Sequence, residues 1–225
     1  MDVNKDAPLL LAGRLLELIR RHAKPEAASW LEAQLKSSSD PDGRAGLLLA
    51  FASAGRKVGT AALPANDAAK LGPAIALQIA GRGLDEVARV ALALTAPDAA
   101  TELYIQGDQR EKQAVLRALP LLPNPAQFSE LGVESVRSSV QTVFEAIACE
   151  SSFPADHFSD AQFNQLVLKA LFNEVPISRI LGLERRVQPE LIRMVQGFSA
   201  ERRAAGRSVP PDIDVIITIG SQRSA

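Results

Sequence analysis

One cysteine, one tryptophan, one tyrosine and two histidines occur in 225 residues, and each scarcity removes a class of function. With Cys149 alone, no intrachain disulfide and no multi-cysteine zinc site can form. His22 and His157 could not hold a metal without carboxylate help. Aromatic residues make up 4% of the chain, and Trp30 and Tyr104 stand apart, so no platform for base stacking is expected. Net charge is −1 and the isoelectric point about 6.2, so no global basic field exists to draw in nucleic acid or anionic lipid. No apolar run approaches the ~18 residues of a membrane span. The leucine-rich stretch LLLAGRLL is interrupted by Arg14 and lacks a small-residue cleavage site, so no targeting segment is read there. The expectation is a cytoplasmic protein that does not span a membrane. GxSxG, HExxH, CxxC and GxGxxG are all missing, which weighs against an enzyme and implies no cofactor and no metal.

What is abundant is aliphatic. Hydrophobic residues reach 47%, mainly Leu, Ala, Val and Ile, enough for a sizeable core of closely packed helices. Helical spacing of apolar residues recurs over 8–22, 25–36 (with Pro25 in its first turn), 84–95 and 108–119. A further helix is expected after Asp42. Residues 55–64 read as a loop, and Gly72-Pro73 should split the helix between 66 and 81. The valines, Phe144 and Ile147 between 129 and 149 read as one long helix. Ser159 and Gln162 form a capping-box pattern, and a helix from Pro189 should stop at Gly206. The β-branched tail IDVIITIG reads as a strand or an extended segment packed on the helices. The fold class expected is therefore all-α, a single domain of packed helical hairpins. Its halves are 1–119 and 120–212, divided by the proline-rich LPLLPNP, with an extended tail over 213–225. A solenoid-like stack stays open, because degenerate repeats hide well.

Polar residues set into apolar helices are the candidates for function. From Ser159 to Asn173 the helix is apolar over most of its circumference. Its polar stripe is Gln162, Gln165, Lys169 and Asn173, with Asn164 at the edge. A confined Lys169 could hold an anion, or act as a base if desolvated; alternatively it snorkels to water from a solvent-facing stripe. Glu145 or Glu150 near Lys169 would make an ion pair, which can equally be structural. Cys149 reads as a small core residue. His157 with Asp156 and Asp160 matches no standard metal spacing. From Pro176 to Arg207 stand seven arginines and three glutamates, laid out like a helix-turn-helix. Pro189 and the apolar Leu191, Ile192, Met194 and Val195 argue against base contacts there, and an arginine cluster could instead hold phosphate or carboxylate.

The strings LRALPLLPNP (116–125), VFEAIACESSFPADHF (143–158), FNQLVLKALF (163–172), PISRILGLERR (176–186) and ERRAAGR (201–207) resemble the EboA-domain family in order and spacing. The likeness covers residues 108–210, with GRKVG (55–59) standing where the family has a basic glycine loop. It implies an all-helical cytosolic protein of a bacterial gene cluster. That cluster includes a prenyltransferase-like membrane protein and is linked to traffic and export of a secondary-metabolite precursor. No catalytic mechanism comes with it. Carried over by position, the polar members of these strings are Glu145, Asn164, Gln165, Lys169, Arg179, Glu201 and Arg202. The chain resembles a divergent member. Ser151-Ser152-Phe153-Pro154 replaces an Asn-Pro-Tyr-Pro-like run, Ala200 stands in place of a His, and Arg203 in place of a Trp. The missing His weakens any acid–base role. Three functions follow from this reading. The leading one is a binding protein for an amphipathic small metabolite, with Lys169 and Arg202 on its anionic group and Glu145 and Glu201 orienting them. The others are a scaffold for proteins of the same cluster, and an enzyme using Lys169 and Glu145.

Overall fold

A computed structural model describes residues 6–38 and 43–223; Asp42 lies outside them. The described residues are helical and contain no strand, only an isolated antiparallel bridge between Ala62 and Gly83. The chain divides at Gly132/Val133 into two compact units.

The first unit opens with α1 (Asp6–His22), α2 (Pro25–Ser38) and α3 (Arg44–Val58). Gly72-Pro73 does split the next segment, into α4 (Ala65–Ala69) and α5 (Pro73–Ile79), since proline suits only a first turn. Then come α6 (Leu84–Thr95), α7 (Ala100–Gln106) and α8 (Gln109–Ala118). The start of α8 is fixed by a capping box: Glu111 N donates to Asp108 Oδ1 at 2.9 Å, and Asp108 N donates to Glu111 Oε2 at 3.0 Å. α6 is the centre of this unit. Of Leu84 to Leu94 every residue but Glu86 is buried, and α1, α2, α3 and α8 all pack on it. A helix enclosed on so many sides is not the nearest-neighbour stack of a solenoid. GRKVG, read as a loop, is instead the last turn of α3 and the glycine after it, with Arg56 and Lys57 exposed.

α9 (Ser129–Val136) runs across the boundary between the units. The second unit continues with α10 (Gln141–Ala148), α11 (Phe153–His157), α12 (Asp160–Phe172), α13 (Leu183–Arg186), α14 (Pro189–Ala204) and α15 (Asp212–Arg223). Two expectations are corrected here. The long helix over 129–149 is broken by the turn Arg137–Val140, where Val140 N donates to the Ser138 hydroxyl at 3.2 Å. Serines offer the backbone such local alternatives, and apolar periodicity does not register them. The tail is a helix, not extended. Ile213, Ile216 and Gly220 are buried at helical spacing, and α15 packs on α14. Tertiary burial overrides the β preference of its isoleucines. α12 starts as expected, with Ser159 N donating to Gln162 Oε1 at 2.9 Å. The supposed helix-turn-helix does not form: residues 177–179 are a single 3₁₀ turn.

Candidate functional site

The polar stripe of α12 lines two adjoining cavities in the second unit. The larger, about 800 Å³, has apolar walls from Leu168 and Phe172 of α12 and Met194 and Phe198 of α14. Arg137, Arg193, Gln165, Lys169, Asn173 and Glu201 supply its polar groups. The smaller, about 440 Å³, is walled by Val133 and Val136 of α9 and by Phe158 and Ala161. Gln162 lines this one, and Arg137, Gln165 and Lys169 line both. Volumes in this range suit small-molecule sites.

Lys169 sits where the two cavities meet. Its Nζ donates to the carbonyls of Val136 and Ser138, each at 2.6 Å, and lies 5.1 Å from the Phe144 ring centroid. These bonds satisfy carbonyls left open at the C-terminal end of α9, and they hold the ammonium in place. An ammonium has three donors, so one remains for a ligand. Among the described residues no carboxylate pairs with Lys169, and burial pushes its pKa below the ordinary 10.5. At the rim, Arg137 pairs with Glu134 at 2.9 Å and Arg193 with Glu190 at 2.6 Å, both largely exposed.

The other sequence candidates divide. Gln165, Lys169 and Glu201 share the larger cavity. Glu145 does not pair with Lys169: its carboxylate accepts from Arg179 at 2.7 Å and from Gln141 at 3.0 Å. Arg179 also clasps Glu150 in a bidentate contact at 2.7 and 3.0 Å, and that hydrogen bonding holds its guanidinium well above its usual pKa. This triad lines neither cavity and ties α10 to the 3₁₀ turn at 177–179. Asn164 is buried and also lines neither. Arg202 lies over the Phe198 ring at 5.6 Å, donates to the Ser208 carbonyl, and lines a third cavity of about 370 Å³ beside Pro210 and Asp212. Lys169 and Arg202 therefore do not meet in one cavity. Asp156 and Asp160 pair with Arg185 and Arg186, and no cluster of the described residues could hold a metal.

The sequence model of one family, described as metabolite traffic protein EboA, matches residues 11–218. The chain belongs to the EboA family. No curated protein and no solved structure matches it. The EboA match runs through both units, including the first, where the sequence strings are only loosely similar. In that unit this EboA protein holds a buried charge cluster that periodicity alone did not single out. Asp85, fully buried on α6, accepts from Arg89 at 2.6 Å and from Arg110 at 2.7 Å, and Arg89 Nε donates to the Phe51 carbonyl at 2.9 Å. Its signal in the sequence is an Asp and an Arg four residues apart in a helix whose remaining residues, apart from Glu86 and Thr95, are apolar. Arg193, one of the seven arginines between Pro176 and Arg207, lines the larger cavity, and so does Arg137, which the sequence pattern does not mark because 129–149 reads as unbroken helix.

Proposed function

We propose that this protein is a non-catalytic binding protein in metabolite traffic, holding an amphipathic small molecule in the cleft between α12 and α14. The observation that carries this reading is Lys169. It is a partly dehydrated ammonium with no acidic partner among the described residues, fixed between apolar walls where an anionic group can reach it. Arg137 and Arg193 also line this cavity, but each is paired with a carboxylate, Glu134 and Glu190, so Lys169 is the cation of the lining that has no acidic partner among the described residues. The role of Arg202 in this reading shifts from ligand contact to support of the loop after α14.

A second reading, a docking scaffold for proteins of the same pathway, is favoured by Phe172, which is 66% exposed at the larger cavity. An enzyme using Lys169 and Glu145 draws no support from the geometry, since Glu145 is held by Arg179 and lines neither cavity beside Lys169.

Mass spectrometry of small molecules released from the purified native protein tests the proposal. An anionic amphiphile carried by the wild type and lost from Lys169→Met supports it. A Lys169→Met protein that folds and retains the same molecule, or a wild type that carries none and fully supports export, overturns it. Two part-buried hydrogen bonds are lost in that variant, so a destabilisation of about 1–3 kcal/mol is expected and is measured by urea unfolding.

A further inference from the structure

The two cavities differ in size but are arranged alike about Lys169. On one side lie Val133, Val136, Phe158 and Ala161; on the other lie Leu168, Phe172, Met194 and Phe198. These side chains are apolar, Asn173, Arg193 and Glu201 also line the larger side, and Lys169 is common to both linings together with Gln165 and the Glu134-paired Arg137. From Gln162 to Asn173 the stripe of α12 that floors both cavities extends ~16 Å at the helical rise. The ammonium cannot follow a ligand to either end, because the Val136 and Ser138 carbonyls hold it at 2.6 Å.

From this we infer that the ligand carries its anionic group within its length, with an apolar arm on each side, instead of at one terminus. A terminal anion seated on Lys169 would fill one cavity and leave the apolar walls of the other in contact with water. An internal anion lets both sets of walls bury hydrocarbon at once, and apolar area removed from water is the main source of affinity in such a site. The inference rests on the small-molecule reading given above and specifies its ligand class: a singly charged carboxylate or phosphate with branches flanking the acid. Gln165, common to both cavities, supplies an amide donor beside the same anion.

Two isomeric fatty acids test this in the full-length protein by isothermal titration calorimetry. One is octanoic acid bearing a hexyl branch beside the carboxyl group; the other is straight-chain tetradecanoic acid. Carbon count and charge are equal, so only the position of the anion differs. The branched acid is expected to bind at least about tenfold more tightly. Two cavity-filling variants locate its arms. Ala161 is exposed in the smaller cavity, and a Cβ at Gly197 in the larger one meets nothing within 4 Å, so neither Ala161→Leu nor Gly197→Leu threatens the fold. Each should weaken the branched acid severalfold. Equal or tighter binding of the straight acid, or indifference of the branched acid to Ala161→Leu, overturns the two-armed ligand and leaves the small-molecule reading standing. If neither acid binds the wild type, both fall.

Discussion

Lys169 and Asp85 show two ways in which a helical protein keeps charge away from bulk water. Lys169 trades water for backbone carbonyls, so its charge remains available to a partner. Asp85 is neutralised inside the fold by two arginines, and so has a structural part. Removing its carboxylate leaves Arg89, which is 3% exposed, with the Phe51 carbonyl and the more distant Glu111 carboxylate at 3.9 Å. Asp85→Ala is therefore expected to destabilise the protein by about 3–5 kcal/mol, read from urea unfolding at neutral pH. Its neighbour Glu86 behaves differently. Burial raises its pKa above the usual 4.5, against the pull of Arg82 and Arg117. The folded state thus binds the proton more tightly than the unfolded chain. Stability conferred by the neutral carboxyl is present below about the ordinary value and is lost as pH rises through the raised one. Glu86→Gln should accordingly raise Tm relative to wild type at pH ~7 and lose that advantage near pH ~4, as followed by circular dichroism.

Where α8 and α12 begin follows from local chemistry, through their capping boxes. What each element packs against does not. α15 shows this most clearly. Its isoleucines favour a strand, yet Ile213 and Ile216 are almost fully buried, and Gly220 allows close approach of α14. A Cβ at Gly220 would stand 2.2 Å from Ile192 Cδ1 and 3.4 Å from Val187 Cγ1. Gly220→Val should push α15 away at a cost of about 1–3 kcal/mol. Faster amide exchange over 212–223 is the direct readout. The break between α9 and α10 has the same lesson in reverse. Residues 129–149 keep a helical period, but Ser138 and the tertiary bonds from Lys169 stabilise a turn within it. That turn brings Arg137 to both cavities.

At the scale of the whole molecule, each unit has fully buried large side chains of its own, Phe51 and Leu31 in the first, Phe144, Phe153 and Phe163 in the second. Scanning calorimetry is expected to need two components, with Asp85→Ala displacing the one that belongs to the first unit; a single two-state transition moved as a whole would contradict this. No helix of the described residues is long and apolar enough to cross a membrane. The sequence by itself determined the all-α class, most helix starts and the polar stripe on α12, because these depend on spacing and capping within a few residues along the chain. Only the tertiary structure decided that Glu145 is bound to Arg179 while Lys169 meets no acid among the described residues, and that Arg202 faces a different cavity. Which charges meet depends on how helices far apart in sequence are set side by side, and residue type carries no record of that distance.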